Sequence, residues 1–211
     1  MDFIEVCVYI PNSMYIYTDI MKTEIKILKI LIEHREPLTI RALAIKVGSD
    51  YKIIHTAVKL LLKKDLVIEK RVGSAIEIVI SNKFSKEIFE AEFERRETFL
   101  RDKRFSAMIH HIKRNIGTKN FILLLFGSYA KRNQTKNSDI DLMFIVPTEE
   151  YEKKIESILS SIPLPIQSHV FTERQFIKMK NIKEFNVGNE AIKHNIILYG
   201  IEQYYELLMV F

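Results

Sequence analysis

The chain has 211 residues, 47% of them hydrophobic and 28% charged, which suits a soluble globular protein with two modest domains. Its 32 Lys and Arg exceed its 27 Asp and Glu, and the resulting charge of +5 mildly favours a polyanionic partner. One cysteine excludes an internal disulfide framework, and no apolar run approaches the ~20 residues of a membrane span, so we expect a cytoplasmic protein without a membrane partner.

The N-terminal segment has two short apolar runs, residues 3–10 and 14–17, separated by Pro11-Asn12-Ser13. This pattern predicts a β-hairpin that packs on the following domain or forms a contact within a homodimer. We assign no chemistry to it.

A helical period of apolar residues begins near residue 21 and predicts a first helix that ends before Pro37. Thr39 suits the N-cap of a second helix over 40–47, which Gly48 ends, and a third helix should run to about residue 64. Residues 67–72 and 75–80 predict a β-hairpin. Three helices followed by a hairpin resemble a winged helix-turn-helix domain, and we place that domain, with the N-terminal hairpin, at residues 1–82.

The winged-helix resemblance implies that the third helix enters the major groove of DNA and that the hairpin touches the backbone. The residues then expected at DNA are Tyr51, Lys52, His55, Thr56 and Lys59 on the helix, with Lys70 and Arg71 on the hairpin. A domain that serves only dimerisation or protein contacts stays open as the alternative.

Residues 83–116 read as one or two charged helices, which we interpret as a helical connector. Its Glu-, Arg- and Lys-rich stretch 90–104 is expected to be a solvated face that bridges the two domains.

The remaining residues, 117–211, alternate between strand and helix patterns. Apolar runs at 121–126 and 139–146 and the segment 165–171 predict strands, while 149–160, 173–180 and 190–198 predict helices, the last ended by Gly200. This alternation predicts an α/β or α+β domain with a small mixed sheet.

Four residues of this domain carry a recognisable chemistry. Gly127 allows a sharp turn and a close approach to a phosphate, and Ser128 opens a helix that can hold an anion. Asp139 and Asp141 are two residues apart on a strand, so both carboxylates leave one face and can share a divalent cation. A phosphate-binding turn beside such a pair is what nucleotidyl transfer requires.

These residues resemble the DNA-polymerase-β-like nucleotidyltransferase superfamily in its minimal form. Its mark is Gly-Ser, ten residues, then Asp-x-Asp, and residues 138–142 match its usual Ser-Asp-Ile-Asp-Leu core. The resemblance implies that Gly127 and Ser128 contact the triphosphate of an NTP, ATP being the expected one, and that Asp139 and Asp141 ligate Mg²⁺. Minimal relatives often pair with a helical toxin-like protein and modify its tyrosine with AMP, so a toxin–antitoxin partner is one implied acceptor.

The chain departs from this family at two places. Lys131-Arg132 stands where relatives carry Arg-Gly or Lys-Gly, and Arg132 is either a phosphate contact or an exposed helix charge. The third acid of active relatives is absent from the strand at 166–171, where our alignment places His169. His169 is a candidate base or metal ligand, with a hydrogen-bonded structural histidine as the alternative, and Glu173 is a weaker substitute.

Three functions follow from these residues. The first is a Mg²⁺-dependent nucleotidyltransferase that moves a nucleoside monophosphate from an NTP to an unknown hydroxyl acceptor on a protein or a nucleic acid. The second is an inactive nucleotide-binding transcription regulator, and the third is a partner-binding module with a vestigial site.

Overall fold

A computed structural model of the chain describes residues 12–81 and 83–209, with side chains from Lys22 onward. The chain divides into two compact units, with the boundary between Lys83 and Phe84. Among the described residues, no helix combines the length and the apolar character needed to cross a membrane.

The first unit consists of three helices and a three-stranded antiparallel sheet. Its elements are α1 (Asn12–His34), β1 (Leu38–Thr39), α2 (Ile40–Val47), α3 (Tyr51–Lys63), β2 (Val67–Val72) and β3 (Ala75–Ile80), with strand order β1-β3-β2. The apolar faces predicted for the helices form the core, which includes Leu28, Leu31, Leu43, Ile54, Val58, Leu61 and Ile78.

Local signals set the ends of α2 as the sequence predicts. The Thr39 hydroxyl accepts a hydrogen bond from the Ala42 N–H at 3.2 Å, and Gly48 ends the helix in a left-handed conformation at φ 70°.

The N-terminal hairpin needs correction where the structure describes it. Residues 14–17 belong to α1, which begins at Asn12, instead of forming a strand. Their apolar pattern continues directly into the helical period that follows, so one long helix satisfies both segments. The first run, residues 3–10, lies outside the described residues.

The second unit is built on a four-stranded mixed sheet. Its elements in chain order are α4 (Lys86–Leu100), α5 (Lys103–Asn115), β4 (Ile122–Phe126), α6 (Gly127–Ala130), β5 (Ile140–Val146), α7 (Tyr151–Ser160), β6 (Ile166–Thr172), α8 (Glu173–Asn181), α9 (Val187–Lys193), β7 (Ile196–Tyr199) and α10 (Ile201–Met209). The strand order is β6-β5-β4-β7, with β5 and β6 parallel and the other pairs antiparallel. This confirms the predicted mixture of helices with a small mixed sheet.

Helices cover both faces of this sheet. One face packs against α5 and α7 through Leu123, Leu125, Leu142, Phe144, Phe105, Ile112 and Ile155. Because successive side chains of a strand alternate between faces, Asp141 belongs to the opposite face, on the side of α8, α9 and α10.

The predicted helix over 190–198 is wrong in its second half. Helix α9 ends at Lys193, and Ile196–Tyr199 forms β7, which pairs with β4 at the sheet edge. The run Ile-Ile-Leu-Tyr suits a buried strand, and its pairing with β4 outweighs the helical pattern of the residues before it. Helix α10 then starts after Gly200.

The prediction of a solvated face over 90–104 is also wrong for two charged residues. Glu92 and Arg95 are buried in the second unit and form an ion pair three residues apart on α4. The Tyr205 hydroxyl donates to Glu92 Oε1 at 2.8 Å, and Arg95 Nη2 donates to the carbonyl oxygen of Asn195 at 2.6 Å. These bonds tie α4 to α10 and to the residue before β7.

Candidate active site

The turn after β4 brings Gly127 against Asp141. Phe126 and Asp141 are register partners on the antiparallel strands β4 and β5, and the chain turns directly after Phe126 into the single helical turn α6. Gly127 has φ 65°, and a Cβ atom at this position would overlap the Asp141 carboxylate, with Asp141 Cγ only 2.8 Å away. Glycine is therefore required both by the backbone conformation and by the carboxylate beside it.

The two acids stand at the same end of the sheet as this turn. Asp139 is exposed just before β5, while Asp141 is the second residue of the strand and is half-buried. Ser128, which follows Gly127 in α6, is also half-buried. The structure thus brings together the Gly-Ser turn and the Asp-x-Asp pair, which are separated by ten residues in the sequence.

Asp141 lies in a mixed electrostatic environment. Burial raises the pKa of its carboxyl above the ordinary value of 3.8, and the negative charges of Asp139 and Glu190 raise it further. The charges of His169 and Lys131 act in the opposite direction. The ionised form of Asp141 is consequently less favourable here than in water, which is expected of a carboxylate placed beside a second one.

Glu190 is the site residue that the sequence did not reveal. It lies in the first turn of α9, and its Oε1 accepts a hydrogen bond from Lys131 Nζ at 2.8 Å. Both side chains are about one-third exposed, at 35% for Lys131 and 28% for Glu190. No motif marks Glu190, because 59 residues separate it from Lys131 and only the packing of α9 beside β4 brings them together.

Arg132 occupies a left-handed position. It has φ 56°, its N–H donates to the Tyr129 carbonyl oxygen at 3.3 Å, and its side chain is exposed. Because α6 ends at Ala130, Arg132 is not a helix charge, which corrects one of the two interpretations. The glycine that relatives carry at this position suits the left-handed backbone, and this chain keeps the conformation without the glycine.

The register of β6 corrects the placement of the third-acid position. Gln167 pairs with Asp141, whereas His169 pairs with Met143 and so lies two residues further along the parallel strands. The His169 ring is half-buried, with its centroid 5.7 Å from that of Phe126. The residue level with Asp141 is therefore an exposed amide.

Glu173 cannot substitute for the missing acid. It follows Thr172, which pairs with Val146 at the far end of β5. Six residues separate Glu173 from Gln167, which corresponds to about 20 Å at about 3.3 Å per residue.

The donor set fits a magnesium ion that arrives with its nucleotide. In the part of the chain that the structure describes, no three His, Cys, Asp or Glu side chains form a complete metal site. Mg²⁺, however, commonly takes one or two carboxylates and completes its shell with substrate phosphates and water. A cation between Asp139 and Asp141 would also relieve the repulsion that raises the pKa of Asp141.

The candidate DNA-contacting residues lie on the outer surface of the first unit. Six of them are exposed and His55 is half-buried, with the His55 and Tyr51 rings stacked at 5.9 Å. The Thr56 hydroxyl donates to the Lys52 carbonyl oxygen at 2.9 Å, so it is already engaged within α3. The exposed set is Tyr51, Lys52, Thr56 and Lys59 on α3, with Lys70 and Arg71 on β2.

Comparison with known families places the chemistry in the second unit. Residues 111–204 match the family described as "Polymerase beta, Nucleotidyltransferase". No curated protein and no solved structure matches the chain significantly. The family match spans the Gly-Ser turn, both aspartates and Glu190, and it supports a nucleotidyltransferase domain over that stretch.

Proposed function

We propose that the second unit transfers a nucleoside monophosphate from an NTP, with ATP as the expected donor, to a hydroxyl group on a protein or a nucleic acid. The observation that carries this proposal is the close approach of the Gly127 turn to the Asp141 carboxylate, within a segment that matches a nucleotidyltransferase family. A phosphate-binding turn beside a carboxylate pair is what this reaction needs.

Asp139 and Asp141 are the residues that would hold Mg²⁺. When bound, the ion supplies neutralisation of the phosphate charge. The raised pKa of Asp141 supports this assignment, because it reports that the pair carries negative charge which protein groups do not fully balance.

Gly127, Ser128 and Lys131 are assigned to the triphosphate. Gly127 lets the backbone approach a phosphate, and the Ser128 hydroxyl can donate a hydrogen bond to it. Lys131 is held by Glu190 in the free protein, so phosphate oxygens must compete with a carboxylate for its ammonium group. Arg132 has no such restraint in the proposal and serves as a second cation near the turn.

In the proposed reaction the acceptor hydroxyl oxygen forms a bond to the α-phosphorus, while the bond from that phosphorus to the bridging oxygen of the β-phosphate breaks. Pyrophosphate leaves with the electrons of the broken bond. The hydroxyl proton passes to the His169 imidazole, which we choose because the charge of His169 acts on Asp141.

The first unit is assigned as a winged helix that binds DNA. Its support is the order of three helices and a hairpin, together with exposed cations at Lys52, Lys59, Lys70 and Arg71. Binding through these side chains should weaken steeply as salt is raised.

A nucleotide-binding regulator without turnover is the second candidate function. The observation that favours it is the exposed Gln167 level with Asp141, where active relatives carry the third acid. In this candidate the second unit binds an NTP, and the first unit responds to it.

Transfer of radiolabelled AMP from ATP separates the two candidates. The transferase predicts label on an acceptor with the wild-type chain and none with Asp139→Ala. Binding of ATP without label transfer, under every acceptor tried, would select the regulator instead.

A further inference from the structure

The net charge of the chain is concentrated in one short stretch. Residues 101–120 contain six Lys and Arg, two His and a single acid, Asp102. Their formal charge of +5 equals that of the whole chain, so the other residues together are neutral. The weak basic character of the protein is therefore a local feature of α5 and its flanks.

The cations of α5 lie on its solvent-exposed face. Phe105, Met108, Ile109 and Ile112 are buried against the sheet, whereas Lys103, His110, Lys113 and Arg114 are exposed. Among the described residues, neither Lys103 nor Arg114 forms an ion pair with an acid. This face is free to attract an external polyanion.

The surface between these cations is concave. A shallow cavity of about 510 Å³ is lined by Lys103, Ser106, Ala107, His110, His111 and Arg114. Lys103 and Arg114 stand at its two ends, 11 residues apart, which is about 16 Å along a helix. Small side chains at its centre leave room for a chain of phosphates.

A second cavity with apolar walls adjoins the first. It has a volume of about 460 Å³ and lies between α5 and the loop after α7, where His111 Nε2 is 3.0 Å from the Ser161 hydroxyl. Its walls include Met108, Ile162, Pro163 and Leu164. An apolar cleft beside a row of cations suits a nucleobase attached to a phosphate backbone.

The N-terminal end of α5 reaches the candidate active site. The Phe105 ring contacts the Tyr129 ring edge-on at 5.5 Å, and the Arg104 guanidinium carbon lies 5.6 Å from the centroid of the Phe105 ring. Tyr129 directly follows Ser128 in α6. A strand that lies along α5 can thus present its end to the turn that we assign to the triphosphate.

We infer that the exposed face of α5 binds the phosphodiester backbone of a single nucleic-acid strand, whose terminal hydroxyl is the acceptor of the transfer. This inference rests on the proposed function and names its acceptor. A nucleic acid fits better than an acidic peptide because phosphates repeat at regular spacing along a cationic row that lacks interspersed acids, and because the apolar cavity suits a base.

The test measures binding of a fluorescent single-stranded oligonucleotide of about 12 nucleotides, as RNA and as DNA, to the full chain. The test variant is Lys103→Gln with Arg114→Gln. The matched control is Lys178→Gln with Lys183→Gln, two exposed lysines of the second unit away from α5. All three proteins also carry Lys52→Ala and Lys59→Ala, which removes the proposed contacts of the first unit.

We expect the α5 variant to bind the strand at least about tenfold more weakly at low salt, and its plot of log Kd against log salt to lose about 1.4 in slope, or ~0.7 per phosphate contact. The control should match the wild type. The arm that binds more tightly identifies the strand as RNA or DNA.

Equal weakening of the α5 variant and the control would overturn the inference, and so would affinity that neither variant changes. Displacement of the strand by polyglutamate as effectively as by unlabelled oligonucleotide would assign the surface to an acidic polypeptide instead.

Failure of the proposed function is distinguishable from failure of this inference. Asp139→Asn with Asp141→Asn should abolish AMP transfer to the strand and leave strand binding intact. The α5 variant should reduce transfer to the strand and leave ATP affinity intact. Strand binding through α5 with no transfer by the wild type would contradict the acceptor role while retaining the binding surface.

Discussion

Gly127 is the residue on which the geometry of the site depends most directly, because both its backbone and its missing side chain are used. Gly127→Ala places a Cβ atom in a left-handed conformation, which costs about 1–2 kcal/mol, and pushes it into the Asp141 carboxylate. We expect loss of ATP binding together with reduced stability, measured by calorimetric titration and urea unfolding.

Gly73→Ala is the matched control for this change. Gly73 has φ 60°, and a Cβ atom there would meet nothing within 4 Å. It should therefore lose about 1 kcal/mol of stability from the backbone alone and keep ATP affinity. Equal ATP affinity in both variants would remove Gly127 from the nucleotide site.

The raised pKa of Asp141 predicts that its charge destabilises the folded, metal-free protein. A carboxyl whose pKa is higher in the folded state contributes stability when protonated, and that contribution is lost as the pH rises through the folded pKa. Asp141→Asn removes this loss.

We therefore expect Asp141→Asn to have a higher Tm than the wild type at neutral pH without Mg²⁺. The difference should vanish well below the ordinary carboxyl pKa of 3.8. Thermal unfolding across this pH range checks it, and a lower Tm of the variant at neutral pH would contradict the assigned environment.

Arg132 carries a left-handed conformation that a glycine would adopt without steric cost. Arg132→Gly should therefore stabilise the fold by about 0.5–1 kcal/mol, since the relieved strain exceeds the added entropy of the unfolded chain. Arg132→Ala, which keeps the Cβ atom, should show no such gain. Urea unfolding of the three proteins tests whether the strain is present.

At the scale of elements, α4 is bound into the second unit by its buried charges. Glu92→Ala would leave Arg95 buried without its carboxylate partner, and we expect a loss of about 3–5 kcal/mol. Glu90→Ala, on the exposed side of the same helix, should change stability by less than about 0.5 kcal/mol. Similar small effects in chemical denaturation of both variants would show that the pair does not anchor α4.

Helices with clear caps were predictable from the sequence. The limits of α2 follow from Thr39 and Gly48, whose side-chain acceptor and left-handed backbone act within one turn of the chain. Strand β7 was not predictable in the same way, because its four apolar residues fit a helix or a strand equally well. Only its partner β4, more than 60 residues earlier, decides between them.

The site divides along the same line. Gly127, Ser128, Asp139 and Asp141 follow from a local spacing that the hairpin-like pairing of β4 and β5 turns into a cluster. The position of Gln167 depends on the register between β5 and β6, which a shift of two residues would change without altering the pattern of buried faces. Glu190 depends on the packing of a separate helix.

At the scale of the whole molecule, two functions are assigned to two units that the chain keeps separate. The family match at residues 111–204 lies entirely in the second unit and leaves the first unit to be tested by DNA binding. The concentration of the net charge in residues 101–120 gives the second unit its own surface for a polyanion. Salt dependence measured separately with variants of α3 and α5 would divide these contributions.

Calorimetric titration with a non-hydrolysable ATP analogue, with and without Mg²⁺, tests the central claim that the Gly-Ser turn and the two aspartates bind one metal–nucleotide complex. We predict that the wild type binds the analogue only when Mg²⁺ is present and that Asp139→Asn with Asp141→Asn weakens binding at least about tenfold, or ~1.4 kcal/mol. Equal affinity in both proteins, or affinity that Mg²⁺ does not change, would contradict the account.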